Sequence, residues 1–225
     1  MAESPAVALE LVETFPVGPL GCNCAILADS GTREALVVDP GDEADRILGV
    51  LARNRLVAVA LVHTHAHFDH TGVSARVARE TGAPILLHEA DAPLYAGLVT
   101  QAGWFGFGVE EPGTVARYLA DGEQVVCGAS HLTVLHTPGH TPGSLCFRLE
   151  GPRPLLLSGD TLFRRSIGRT DLPGGSTPDI VASIRERIFS LPGDLAVLPG
   201  HGEPTTVAEE ARLNPFVGSR AIPLV

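Results

Sequence analysis

The sequence predicts an α/β (α+β) protein built as a four-layer αββα sandwich, with two β-sheets packed face to face and helices on their outer faces. Two observations lead to this prediction. Short apolar runs alternate with amphipathic segments, and the alternation occurs in two comparable halves of the chain. The 225 residues, of which 44% are hydrophobic, are also enough to bury a substantial core. We therefore expect one domain over residues 1–225.

In the first half, two strands lead into an alternation of strands and helices. The first helix is predicted at Asp42–Asn54, where the apolar residues Ile47, Leu48 and Leu51 fall on one face. A second helix is predicted at Gly72–Thr81. The strands are apolar runs bounded by turn residues, namely Val7–Phe15, Cys24–Asp29, Ala35–Asp39, Val57–Val62 and Pro84–His88.

The second half repeats this pattern. A helix is predicted at Pro178–Ser190, with Thr177 as its N-cap and proline at its first position, and a closing helix at Val207–Leu213. The predicted strands are Gln124–Cys127, Leu132–His136, Ser144–Leu149, Pro154–Ser158 and Leu195–Leu198. Between the halves, Thr100–Gly113 is rich in glycine and aromatic residues but has no clear period. It is either a covering loop or part of a substrate wall.

Composition narrows the location and partners of the protein. The net charge is −10, from 26 acidic and 16 basic residues, which disfavours nucleic acid as a partner. No stretch reaches the ~20 apolar residues of a membrane-spanning helix. Met1–Glu10 has no basic residue and does not resemble a signal peptide. We therefore expect a cytoplasmic protein without membrane contact, whose cysteines are reduced, namely Cys22, Cys24, Cys127 and Cys146.

The strongest chemical signal follows the predicted strand Val57–Val62. Here His65, His67, Asp69 and His70 lie within six residues. Several neutral imidazoles and carboxylates converging at a strand end are the ligands that a divalent metal needs. Crowding such groups beside a buried strand would be costly without a metal. The motif therefore predicts a metal site.

One loop cannot complete two metal shells, and three further strand-end turns supply ligand residues. His140, Asp160 and His201 each follow an apolar run and a glycine. Glycine allows the sharp turn that directs the next side chain into a cleft. Each of these residues is weak evidence alone, but the three together strengthen the prediction.

The ordered pattern His-x-His-x-Asp-His, followed by His140, Asp160 and His201, resembles the metallo-β-lactamase superfamily. The resemblance extends from about Val17 to Phe216. Within the superfamily, three segments resemble the small glyoxalase II-like hydrolases of bacteria. These segments are Gly159–Phe163, Ser166–Gly175 and Asn214–Phe216.

The resemblance implies a metal-dependent hydrolase with two divalent ions, zinc before iron or manganese. It assigns one ion to His65, His67 and His140, and the other to Asp69, His70 and His201. Asp160 would bridge both ions, and Asp39, within Val38–Gly41, would support the metal loop by hydrogen bonds.

The implied reaction is hydrolysis of a small-molecule acyl-thiol such as S-lactoylglutathione. Paired metals would activate water at neutral pH, with Asp160 between them and Asp69 orienting that water. Only about two dozen residues follow His201, whereas larger glyoxalase II enzymes have a helical region there that helps to bind glutathione. The thiol carrier therefore stays open.

Alternatives also follow from the resemblance. Persulfide dioxygenases have the same histidine loop and a segment similar to Gly168–Asp171, and they use one iron, for which the ligands here would be His65, His140 and Asp160. A lactonase is a less favoured alternative that the ligand residues alone would allow. A non-catalytic metal-binding module is also less favoured, because all seven ligand positions are occupied.

Three arginines near the motifs have two open interpretations. Arg164, Arg165 and Arg169 follow Asp160 closely in sequence and could bind a substrate carboxylate. Alternatively, Arg169 pairs with Asp171 and the other two face water. His63 precedes the motif on the predicted strand and is expected to face away from the metals.

Overall fold

The computed structural model describes residues 9–219 and residue 221, with two six-stranded β-sheets at its centre. Val7 and Ala8, the first residues of the predicted Val7–Phe15 strand, lie outside the described residues. Among the described helices, none is long and apolar enough to cross a membrane.

The first sheet contains six strands in chain order. They are β1 (Leu9–Val17), β2 (Cys22–Asp29), β3 (Glu34–Val38), β4 (Val57–Val62), β5 (Ile85–His88) and β6 (Val115–Leu119). β1, β2 and β3 pair antiparallel, whereas the pairs from β3 to β6 are parallel. Parallel pairing requires crossovers, and it sets the carboxyl ends of β3, β4 and β5 at one edge.

The second sheet has the order β14-β13-β10-β9-β8-β7. Its strands are β7 (Gln124–Cys127), β8 (Ser130–His136), β9 (Leu145–Leu149), β10 (Leu155–Gly159), β13 (Ala196–Pro199) and β14 (Thr205–Thr206). Only β10 and β13 pair in parallel. A small hairpin, β11 (Leu162–Phe163) and β12 (Ser166–Ile167), follows β10.

Seven α-helices complete the fold over residues 9–219. They are α1 (Ala44–Asn54), α2 (Phe68–Thr71), α3 (Ser74–Thr81), α4 (Ala92–Ala96), α5 (Leu98–Trp104), α6 (Thr177–Ala182) and α7 (Val207–Leu213). In α1, a stripe formed by Ile47, Val50 and Leu51 is buried against the first sheet, as its spacing predicts.

Three apolar layers alternate with these elements. One lies between the outer face of the first sheet and α1, α3 and α5. The second lies between the sheets and includes Leu36, Val62, Phe147 and Leu157. The third lies between the second sheet and α6 and α7, where Ile180 and Val207 are buried. The predicted four-layer αββα sandwich is therefore confirmed.

Several elements differ from the prediction. Thr177 is not the N-cap of α6 but its first residue, since the Ser176 side chain accepts a hydrogen bond from the Asp179 N–H. The helix continues beyond α6 as a π-helical turn at Ser183–Ile188. β6 was not predicted, and neither was α5, whose C-terminal half occupies the start of Thr100–Gly113.

Candidate metal centre

The two sheets deliver the predicted ligand residues to one edge of the sandwich. β4 ends just before His65 and His67, and α2 follows with Asp69 and His70. From the second sheet, β10 ends just before Asp160, and β13 ends two residues before His201. Because β10 and β13 are parallel, the residues after them lie side by side. His140 comes from the loop between β8 and β9.

His65, His67 and His140 form one group of donor atoms within 4.8 Å of one another. His67 Nδ1 lies 2.9 Å from His140 Nε2. His65 and His140 are almost completely buried, at 1% and 2% exposed. A nitrogen–nitrogen approach this close in a buried cluster is favourable only if a proton or a cation lies between the two lone pairs.

Asp69, His70 and His201 form a second such group. His201 Nε2 lies 3.2 Å from an oxygen of Asp69 and 3.2 Å from His70 Nε2. His70 is fully buried, whereas the other two side chains are partly exposed. This group therefore faces the solvent-accessible side of the cluster.

Asp160 lies between the two groups. One carboxylate oxygen is 3.3 Å from His70 Nε2, and the other is 3.6 Å from His140 Nε2 and 3.7 Å from His201 Nε2. The carboxylate thus reaches histidines of both groups at once, as a bridging ligand must.

Two buried polar atoms of the cluster have no hydrogen-bond partner. They are His65 Nε2 and Asp160 Oδ1. His70 Nε2 lies 3.3 Å from Asp160 Oδ1 but does not form a hydrogen bond with that oxygen. An unsatisfied buried polar atom costs free energy, which coordination of a cation would offset. The donor set, with imidazole nitrogens and carboxylate oxygens, therefore fits a pair of divalent metal ions.

In every clustered histidine except His67, the ring nitrogen that faces away from the cluster, Nδ1, contacts a hydrogen-bond acceptor. His140 Nδ1 lies 2.7 Å from the Arg169 carbonyl oxygen, and His201 Nδ1 lies 3.0 Å from that of Leu20. When these nitrogens donate, each Nε2 keeps its lone pair for a metal.

Asp39 is hydrogen-bonded to Thr64 and contacts His70, and these contacts hold two of the clustered histidines. Its carboxylate accepts hydrogen bonds from the Thr64 N–H at 2.8 Å and the Thr64 hydroxyl at 2.7 Å. His70 Nδ1 lies 3.0 Å from the carboxylate, and His65 Nδ1 lies 3.1 Å from the Thr64 hydroxyl oxygen. Asp39 is therefore linked to His70 directly and to His65 through Thr64.

The electrostatics of the cluster favour metal binding. Burial lowers the pKa of His65 well below its ordinary value, and neighbouring imidazoles lower it further. Burial and the nearby His140 lower the pKa of His67 to about 3. Burial alone would raise the pKa of Asp160, but the positive charge of the neighbouring His70 lowers it overall. The neutral imidazoles of His65 and His67 and the ionised carboxylate of Asp160 are metal-binding forms. Burial alone would lower the pKa of His70, but the neighbouring Cys22 and carboxylates raise it, so a metal bound there would displace a proton.

Asp91 is a buried residue beside the cluster that the sequence analysis missed. Its fully buried carboxylate accepts hydrogen bonds from the Ala66 N–H, the Thr141 hydroxyl and the Gly143 N–H, at 2.7–3.0 Å. Asp91 thereby ties the loop of His65 and His67 to the loop of His140. No motif surrounds it, and its partners are 25 to 52 residues away in sequence.

Of the three candidate arginines, only Arg169 lines the cavity above the cluster. Its guanidinium forms two hydrogen bonds with Asp171, at 2.7 and 2.8 Å. Arg165 pairs with Glu209 and Glu210, and Arg164 pairs with Glu203; neither lines that cavity.

Residues outside the motif behave as expected. His63 is fully buried and contacts the Leu86 carbonyl oxygen and the Ser74 hydroxyl, away from the cluster. The four cysteines are free and buried, so their prediction as reduced apolar residues is consistent with the structure.

Two cavities meet above the cluster. One, of about 260 Å³, is lined by cluster residues and by Trp104, Phe105 and Leu172. The other, of about 400 Å³, is lined by Asp69, Phe107 and Val109, among others. Residues of Thr100–Gly113 thus contribute to both walls.

Comparison with known proteins defines the family. The model of the metallo-β-lactamase superfamily matches residues 17–201. The chain therefore belongs to this superfamily, as its resemblance implies.

Three similar proteins are informative. Hydroxyacylglutathione hydrolase GloC of Haemophilus influenzae is 34% identical over 212 residues, which cover 93% of this chain and 99% of GloC. The crystal structure of TTHA1623 in a di-iron-bound form superposes with a TM-score of 0.84 at 38% identity, covering 91% of this chain and 100% of TTHA1623. ETHE1 from Myxococcus xanthus superposes with a TM-score of 0.77 at 27% identity, covering 93% and 85%.

Proposed function

We propose that the protein is a metal-dependent hydrolase that cleaves a small-molecule thioester such as S-lactoylglutathione. The observation that carries this proposal is the position of Asp160, whose carboxylate lies 3.3–3.7 Å from histidines of both donor groups. The similarity to a protein named hydroxyacylglutathione hydrolase supports the choice of substrate class.

His65, His67 and His140 would hold one divalent ion, and Asp69, His70 and His201 the other, with Asp160 as a ligand of both. Bound there, the metals would lower the pKa of a water molecule and polarise the thioester carbonyl.

We propose that Asp69 orients the attacking water. It is partly exposed, borders both cavities and lies 3.2 Å from His201 Nε2. Its carboxylate can accept a hydrogen bond from a group on the cavity side. Buried Asp39 contacts Nδ1 of His70 and thereby fixes the orientation of that ring.

We propose zinc as the native metal, with iron or manganese as alternatives. Histidine and carboxylate donors suit all three metals, so the donor set does not choose among them. The similarity to a di-iron-bound structure favours testing iron beside zinc.

A second candidate is a persulfide dioxygenase with a single iron held by His65, His140 and Asp160. The similarity to ETHE1 over most of both chains favours keeping this candidate. It predicts a different metal count and a requirement for oxygen.

One set of assays on the purified protein separates these functions. S-Lactoylglutathione hydrolysis, oxygen uptake with glutathione persulfide, and nitrocefin hydrolysis are measured on the same metal-analysed sample. Thioester hydrolysis without oxygen uptake is expected. Oxygen uptake without thioester hydrolysis would replace this proposal with the dioxygenase, and nitrocefin hydrolysis alone would indicate a β-lactamase.

A further inference from the structure

The smaller cavity has an apolar wall that the proposed reaction alone does not require. Beside the cluster residues, its lining includes Leu20, Leu172, Pro173, Trp104 and Phe105. Trp104 and Phe105 are 64% and 46% exposed although both are large apolar residues. Exposed aromatic side chains grouped at the mouth of a cavity are typical of a binding surface.

This wall is attached directly to the metal cluster. Phe68 lies between His67 and Asp69 in the sequence. The centroid of its ring is 5.5 Å from the ring centroid of Phe105 and 5.6 Å from that of Phe107. A group resting on these aromatic rings would therefore adjoin the position of the reacting carbonyl.

The cavity offers few side chains that could bind a carboxylate on that group. Arg169 is the only arginine or lysine in its lining, and its Nε and Nη2 groups already donate hydrogen bonds to Asp171, whose carboxylate offsets its charge. The remaining charged side chains, Asp69 and Asp160, are acidic members of the cluster.

The cavity has room for an acyl group larger than lactoyl. At the ~30 Å³ that a water molecule occupies in the liquid, about 260 Å³ holds roughly eight or nine non-hydrogen atoms. A lactoyl group has fewer atoms than this and carries a hydroxyl, which would face apolar side chains there.

We infer that this cavity binds an uncharged, apolar acyl group, such as an aromatic or medium-chain acyl group, and that thioesters of such acids are the preferred substrates. This inference rests on the proposed thioester hydrolysis. The preferred acyl group would then be apolar, in place of the small hydroxyacyl group of S-lactoylglutathione.

The kinetic test compares lactoyl, hexanoyl and phenylacetyl thioesters of one neutral thiol, N-acetylcysteamine. We expect kcat/KM to be at least about tenfold higher for the two apolar thioesters, because their burial is favourable in the cavity. Trp104→Ala is expected to remove most of this preference. Tyr118→Ala, which removes an exposed aromatic ring outside the cavity linings, serves as the matched control and should retain it. Equal kcat/KM values for the three thioesters would overturn the inference while leaving thioester hydrolysis established.

A binding test does not depend on hydrolysis. Trp104 is the only tryptophan of the chain, so its fluorescence reports directly on the cavity. The thioether N-acetyl-S-phenethylcysteamine, which cannot be hydrolysed, is expected to change this fluorescence saturably. The thioether with a 2-hydroxypropyl group should require at least about tenfold higher concentration. Saturable binding without hydrolysis of any thioester would refute the proposed function but not the apolar site, and no difference between the two ligands would refute the site.

Discussion

At the scale of single residues, the state of each clustered histidine depends on what its second nitrogen contacts. Asp39 faces Nδ1 of His70, and the Thr64 hydroxyl links the same carboxylate to His65. These contacts orient the rings before any metal arrives. Such supporting groups commonly change metal affinity or activity by about 10–100-fold when removed.

The bridging position of Asp160 gives the sharpest prediction at this scale. Asp160→Ala removes the one carboxylate that reaches both donor groups. We expect the purified variant to bind about one metal fewer per chain and to lose thioester hydrolysis by at least about 10³-fold. Metal analysis and kinetics on the same sample check both results.

Asp45→Ala is the matched control for this change. Asp45 is an exposed aspartate in α1 that pairs with Arg76, so its removal should leave metal content and activity unchanged. If Asp160→Ala retained both metals and full activity, the bridging assignment would be wrong.

At the scale of structural elements, Asp91 connects two loops from different sheets. Asp91→Ala would leave the Ala66 and Gly143 N–H groups without their buried acceptor. We expect the metal-free protein to lose about 2–4 kcal/mol of unfolding free energy. Urea unfolding in the presence of chelator measures this loss without a contribution from metal binding, and an unchanged midpoint would contradict the role given to Asp91.

The turn after β13 offers a second prediction. A Cβ atom on Gly200 would lie 2.2 Å from Asp160 Oδ1 and 2.7 Å from His70 Cε1. Gly200→Ala should therefore displace Asp160 or the turn and lower metal content.

Gly49→Ala in α1 is the control, because a Cβ atom there meets nothing within 4 Å. It should preserve metal content and stabilise the helix by up to about 1 kcal/mol. Equal metal content in both glycine variants would show that the turn tolerates a side chain.

Sequence patterns predicted the elements that have a continuous apolar run or a clear helical period, and they missed the elements that have neither. Val57–Val62 was predicted because it is a continuous apolar run, and its bounds agree with β4. β6 was missed because most of its residues are exposed and its pattern is not apolar. α5 was missed because glycine and aromatic residues follow one another without a helical period.

At the scale of the whole molecule, the ligand cluster was foreseeable because each ligand follows an apolar strand within a short motif. The structure brings all seven predicted side chains to one edge. The cavities and the contacts of Asp91 were not foreseeable, because they depend on how distant loops pack. Strand order also depends on long-range pairing, which local pattern does not encode.

The metals would join the two sheets, since His65 and His67 follow the first sheet and Asp160 and His201 follow strands of the second. A ligand bound only by the folded state stabilises it, by about 2.7 kcal/mol at 100 times its dissociation constant. For a chain of this size, chelation should then lower the Tm by roughly 5–10 °C. Readdition of metal should restore the Tm, whereas a Tm indifferent to chelator would contradict a metal shared between the sheets.

The most direct test of the central claim is the number of metal ions per chain, measured by native mass spectrometry on active protein. A two-metal hydrolase predicts a mass increase of about two divalent ions per chain, with hydrolysis of a thioester lost and regained as both ions are removed and restored. A single iron per chain, with oxygen uptake in place of hydrolysis, would contradict the account and leave Asp69, His70 and His201 without a metal to bind.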